Sequence, residues 1–218
     1  MVRETFNAQL KDLQQQIIRM GSLVEEAIAG SVTALKAQDT AIAQKVVDED
    51  DKIDDYYGQI EDQCLRLIAT QQPMAKDLRR IITGLKIIRD LERMADHAVD
   101  IAKIAIQISN ESLIKPLIDI PRMSEYAQKM VKNCLDAYVK EDVALAESVG
   151  VDDDLVDHLH SQIFRELLTY MMEDPKNIKQ ATHLLFVSRY LERIGDRATN
   201  IGEAVIYLVT GDRRDINI

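Results

Sequence analysis

The sequence has no tryptophan, two cysteines, four prolines and eight glycines in 218 residues, and only 5% of it is aromatic. So little Gly and Pro leaves few turn and strand-ending signals, which excludes collagen and low-complexity disorder and argues against a turn-rich β-sandwich. Cys64 and Cys134 lie in apolar helical patterns with no CxxC and no clustered histidine beside them. They read as small buried hydrophobes in a reducing compartment, not as a disulfide framework or a structural zinc site. The first twenty residues interleave charges with apolar residues, and no stretch reaches the ~18 uncharged apolar residues of a membrane span. The expectation is a cytoplasmic chain with no direct membrane insertion. Nucleophile motifs, a P-loop and GxGxxG are missing too, so the sequence offers no organic catalytic centre and the chain is not expected to be an enzyme.

What is present is helix and negative charge. The hydrophobic share is 46%, ample for a packed core, and the formal net charge is −10. Two short segments hold nearly all of that excess: DEDDKIDD (48–55), with six acids and one lysine, and DDDLVD (152–157), with four acids and no base. An acidic chain of this kind is a poor partner for a phosphate backbone, which excludes nucleic acid, and a good one for cations.

The chain repeats itself. Residues 89–106, RDLERMADHAVDIAKIAI, match 189–206, RYLERIGDRATNIGEAVI, at eight of eighteen positions with an offset of 100. Upstream the offset is 103, where LKAQDTAIA (35–43) matches YVKEDVALA (138–146), Asp50 matches Asp153, and Asp54 matches Asp157. A three-residue deletion therefore lies between, in the loops at TQQPMAKD and MMEDPKN. Each copy shows three runs with apolar residues at helical spacing, for example Leu10, Leu13, Ile17, Met20 and Val24. Pro73 and Pro175 punctuate the second loop of each copy, Pro116 and Pro121 bracket the inter-repeat linker, and Asp39 and Asp142 stand where N-caps belong. The fold expected is all-α: a tandem repeat of two antiparallel three-helix bundles, six long helices in all, with residues 1–112 as the first repeat, 113–121 as linker and 122–218 as the second.

Carboxylates recur at i, i+4, about 6 Å apart along one helix face. The pairs are Asp50 and Asp54, Glu92 and Asp96, Asp153 and Asp157, Glu192 and Asp196; Asp100 extends one row and Asn200 takes its place in the other. Folding the helices antiparallel about Pro73 sets Asp54 against Glu92 and Asp50 against Asp96. The same fold in the second copy sets Asp157 against Glu192 and Asp153 against Asp196. Four carboxylates per bundle raise one another's pKa values and are costly unless a counter-charge is present. A cation removes the conflict, and carboxylate oxygens with one amide suit iron, manganese, magnesium or calcium better than structural zinc. The competing reading is ordinary surface ion pairing with Arg89, Arg93, Arg189 and Arg193. A ferritin-like di-iron site needs Glu-x-x-His, which does not occur, and DEDDKIDDYYGQ lacks the glycine of an EF-hand. The histidines His97, His158, His160 and His183 are not repeated and read as surface residues.

These motifs resemble the PhoU family of phosphate-specific transport system accessory proteins: DDKID with LERMADHAVDIA in the first copy, DDLVD with LERIGDRATNIG in the second, and IATQQPMAKDLRRI (68–81) at a loop and helix start. The resemblance implies the two-repeat helical fold and a cytoplasmic, commonly dimeric negative regulator of phosphate uptake and of the phosphate-starvation response. It places that regulator between the ATPase subunit of a phosphate ABC transporter and a sensor histidine kinase. It further implies metal ions at the carboxylate motifs, as multinuclear clusters in some members and as iron first, with manganese, magnesium, calcium or zinc as alternatives. The ligand candidates it carries over are Asp50, Asp54, Glu92, Asp96 and Asp100, with Asp153, Asp157, Glu192, Asp196 and Asn200. The first copy departs from the motif at Met94-Ala95 and at Asp100. Two other readings remain: a carboxylate-bridged metalloenzyme, and a metal-free helical docking module.

Overall fold

The computed structural model describes residues 2–216. Helices α1 (Val2–Ala37), α2 (Thr40–Gln71) and α3 (Ala75–Ile108) pack mutually, as do α4 (Asp119–Lys140), α5 (Val143–Glu173) and α6 (Ile178–Thr210), and the described residues contain no strand. The two three-helix bundles join through α3 against α6 and α1 against α4, while α2 and α5 contact only their own bundle among the described residues. None of these helices is long and apolar enough to cross a membrane.

Each repeat opens its first turn in the same way. Gln38 and Glu141 both take left-handed φ values of 52°, and the following Asp39 and Asp142 cap the next helix. Asp39 accepts from the N–H groups of Ala41 and Ile42 at 2.9 and 3.2 Å, and Asp142 from that of Leu145 at 3.0 Å. Each cap satisfies donors that the helix itself leaves open and contributes about 1 kcal/mol. The residues before the caps then diverge. Gln38 donates to the carbonyls of Ile108 and Glu111, closing its own repeat, whereas Glu141 reaches across to Arg80 at 2.7 Å and Lys76 at 2.9 Å on α3.

The three-residue difference falls in the second loop. Residues 72–74 link α2 to α3, whereas Asp174 and a short 3-10 turn over Pro175–Asn177 link α5 to α6. Between the repeats, residues 109–118 form the connector, and Pro121 falls in the first turn of α4, where its missing N–H lacks an intrahelical partner in any case.

Burial ranks the helices. Sixteen residues of α3 and sixteen of α6 are buried, against six of α2 and eight of α5, so α3 and α6 are the central pair. Their small residues, Ala95, Ala98 and Ala102 in α3 and Gly195, Ala198 and Gly202 in α6, are what lets neighbouring helices approach. Cys64 and Cys134 are free and buried, and burial pushes both thiols up, that of Cys64 to about 12, so neither is a ready nucleophile.

Candidate functional site

In the groove between α2 and α3, Asp50, Asp54, Glu92 and Asp96 act on one another electrostatically. Partial burial raises the Asp50 carboxyl above the usual carboxylate range, and the charges of Asp54 and Asp96 raise it further. Glu92 is raised first by burial, then by Asp96, Asp54 and Asp50, with Arg93 opposing. In the second repeat, between α5 and α6, Asp157, Glu192 and Asp196 act on one another in the same way. Asp157 is raised by burial and then by Asp196, and Glu192 by burial, Asp196 and Asp157. These are the cross-helix neighbours that an antiparallel fold about the second loop requires. Bonds lower in each bundle share the register: Cys64 Sγ lies on the Ile81 carbonyl at 4.0 Å, and His160 Nδ1 on Ser188 Oγ at 3.0 Å.

Arginines on the same helices supply part of the counter-charge. Arg93 bonds Asp96 at 2.8 Å and lies 3.2 Å from Glu92, and Arg189 bonds Glu192 Oε1. Arg93 is more than half exposed, so solvent screens its pairs and they stabilise little. Glu192 Oε2 is buried with no hydrogen bond on it, and such an atom is expensive unless something positive meets it. Among the described residues, no three His, Cys, Asp or Glu side chains converge tightly enough to grip one ion as they stand. The donor set, carboxylate oxygens one or two helical turns apart, suits a hard or borderline cation, and Glu192 Oε2 accepts no hydrogen bond.

Of the ten candidates, Asp153 sits deepest, 3% exposed. It reaches that depth because position 195 is glycine: a Cβ there would lie 2.8 Å from Asp153 Oδ1. Asp50, its counterpart, stays half-buried, and the position matching Gly195 is Ala95. Asp100 and Asn200 turn elsewhere, to the seam between the repeats. Asn200 acts on Asp90, and Asp100 on His97 and Tyr190.

That seam was not visible in the sequence. Asp90, 3% exposed, accepts from Arg197 Nη1 at 2.9 Å, and at the offset-100 positions His97 stacks on Tyr190 with ring centroids 5.5 Å apart. One pseudo-twofold contact is thus ionic and its mate aromatic. The signal was there as disagreement: Asp90 against Tyr190 and His97 against Arg197 break an otherwise matching motif. Two histidines expected at the surface are not there. His97 is half-buried in its stack, and His160 is partly buried on Ser188, whose hydroxyl donates to the Leu185 carbonyl at 2.9 Å. A pair between buried Asp152 and exposed Lys129, at 2.8 Å, also escaped notice, because its first-copy positions hold Glu49 and Glu26.

The PhoU domain family model matches residues 17–105 and 120–205. The chain is 45% identical over all 218 residues to the phosphate-specific transport system accessory protein PhoU homolog of Clostridium acetobutylicum, covering 100% of both chains. It is 45% identical over 204 residues to the homolog of Aquifex aeolicus, covering 94% of this chain and 92% of that one. The crystal structure of PhoU from Pseudomonas aeruginosa superposes with a TM-score of 0.91 at 42% identity, over 95% of this chain and 100% of the other. That of the phosphate transport system regulatory protein PhoU from Streptococcus pneumoniae gives 0.89 at 30% identity, over 96% and 99%. The chain belongs to the PhoU domain family.

Proposed function

We propose that this protein is an accessory protein of a phosphate-specific transport system: a non-enzymatic, cytoplasmic, homodimeric negative regulator of phosphate uptake. In this reading it couples the ATPase subunit of the phosphate ABC transporter to a sensor histidine kinase and keeps the starvation response off when phosphate is plentiful. The support for the transport role is the full-length match to proteins of that name. Metal ions, iron first, are held in this reading by Asp50, Asp54, Glu92 and Asp96 in one repeat and by Asp153, Asp157, Glu192 and Asp196 in the other. The observation that carries this part is the duplication of a mutually repelling carboxylate group at the same place in both bundles. A bound cation supplies the positive charge that offsets this repulsion. A cation held between the carboxylates would tie α2 to α3 and α5 to α6. Because α2 and α5 contact only their own bundles, these ties control the outer helices, the surfaces free for a transporter or kinase.

The chain's own arginines favour a second reading, a docking module with no metal, since Arg93 and Arg189 already reach the central-helix acids. Elemental analysis of protein purified without chelator, beside Glu192→Ala/Asp196→Ala, separates the two: equal metal content in both proteins contradicts the metal-bound reading. Deleting the gene tests the regulatory role, with phosphate uptake expected to be derepressed in rich phosphate. Unchanged uptake contradicts it.

A further inference from the structure

The acidic grooves have a basic counterpart on the seam. A cavity of about 260 Å³ opens where α3, α6 and the C-terminal segment meet, and Lys86, Arg89, Arg213 and Arg214 line it. The segment is placed there by specific contacts. Gly211 ends α6 in the left-handed conformation at φ 84°, and the Ile216 N–H donates to Glu203 Oε1 at 3.1 Å. The Ile216 side chain packs where a Cβ on Gly202 would lie 2.8 Å from its Cδ1, so the bare glycine face of α6 is the seat of the segment. This docking carries Arg213 onto the Tyr207 ring, 5.8 Å from its centroid, which Lys86 also approaches at 5.5 Å.

Cations brought together in this way repel, as the carboxylates do across the molecule. Lys86, Arg89 and Arg213 make no ion pair among the described residues, and Arg214 reaches only Glu147 at 3.8 Å. Beneath them, Arg79 packs against Gly211 with its Nε buried and without a hydrogen-bond partner. The buried acid in the lining, Asp90, is already neutralised by Arg197 at 2.9 Å. Three donor-only cations about one cavity, in a chain of net charge −10, mark a place for an anion. The overall field disfavours a long polyanion. A small one responds to charges within the ~8 Å Debye length, where the cations dominate.

We propose that this seam cavity binds a phosphate group, either free inorganic phosphate or the terminal phosphate of a small phosphorylated molecule. The two guanidinium forks and the Lys86 ammonium donate to its oxygens. Glu203 and Asp215, also in the lining, accept from the proton that phosphate carries near neutral pH. Sulfate has no such proton, so the same two carboxylates repel it. The site occurs once: Phe186 stands at the position equivalent to Lys86, Gln107 at that of Tyr207, and the C-terminal segment has no first-repeat copy. It goes beyond the accessory role proposed above and does not depend on metal in the grooves.

Calorimetric titration of the full chain with inorganic phosphate, in a buffer free of phosphate and sulfate, tests this. Saturable binding of one phosphate per chain is expected, weakened at least tenfold in Lys86→Gln/Arg213→Gln, whose exposed positions leave the melting temperature unchanged. Sulfate is expected to bind at least tenfold more weakly than phosphate. If ATP binds more tightly than phosphate and competes with it, the phosphate group comes from a nucleotide; if ATP does not compete, free phosphate is the ligand. Absence of saturable binding of either, equal phosphate binding by the variant, or equal binding of sulfate overturns the proposal.

Discussion

The two repeats have one fold and differ where it matters. In the second, Asp153 is buried against Gly195, and Asp152 is buried on Lys129. In the first, Ala95 replaces the glycine, Asp50 stays half-buried, and Glu26 and Glu49 replace the ion pair. A methyl group at position 195 would meet Asp153 Oδ1 at 2.8 Å, so the glycine there is what leaves room for that carboxylate. The seam repeats the lesson in another form, with Asp90–Arg197 on one side and Tyr190–His97 on the other. Duplication preserved the backbone, and divergence at a few inward positions gave each copy its own electrostatics.

The largest effect is expected at the seam. Arg197→Ala removes the ion-pair partner of the buried Asp90 and should lower stability by about 2–3 kcal/mol in denaturant unfolding, somewhat below the figure for a wholly buried pair because Arg197 is partly solvated. His97→Ala at the equivalent site removes a ring stack and should cost about 1 kcal/mol. Equal losses would erase the distinction between the two contacts. Asp90→Tyr/Arg197→His, which rebuilds the aromatic contact on the ionic side, should recover part of the loss.

Next comes the glycine. Gly195→Ala pushes a methyl into Asp153 Oδ1 and should destabilise by about 1–2 kcal/mol. Ala95→Gly gives the first repeat the second repeat's residue and should cost only about 1 kcal/mol of helix propensity. If Gly195→Ala is neutral, the depth of Asp153 has another cause.

The smallest effect is in pH dependence, and it applies to both repeats. Asp50, Glu92, Asp157 and Glu192 are all raised in the folded state, so the folded chain holds protons more tightly than the unfolded one. Their contribution is fully present below the unfolded carboxylate values near ~4 and is lost as pH rises through the raised folded values. With chelator present, these groups should make the melting temperature climb as pH is lowered from neutral towards the unfolded carboxylate values near ~4. Glu92→Gln/Glu192→Gln should flatten that climb. A slope that the double variant leaves unchanged would show that the grooves do not set it.

Much of this was legible in the sequence. The offsets of 100 and 103 gave the duplication, the AQD and KED tripeptides marked both caps, and the i, i+4 acids with the loop position gave the cross-helix pairs. Helical spacing puts Asp100 and Asn200 in the same row as Asp96 and Asp196, yet they act on residues of the seam. That row winds around the helix, and by the next turn it has reached the facing repeat. Contacts between repeats, such as Asp90 with Arg197, join residues 107 apart in the chain and obey no local period. His97 and His160 were misjudged for the same reason: Tyr190 and Ser188, the residues that enclose them, lie on another helix.

The most direct test is a calorimetric titration of chelator-stripped protein with Mn²⁺ at neutral pH, beside Glu92→Gln/Asp96→Asn and Glu192→Gln/Asp196→Asn. The duplicated carboxylate grooves predict saturable binding in the wild type, with each double variant losing the share of its own repeat. Metal bound only by the native state should also raise the melting temperature, by about 2.7 kcal/mol of added stability at a hundredfold excess over Kd. No saturable binding by the wild type, or equal binding by all three proteins, would contradict the account.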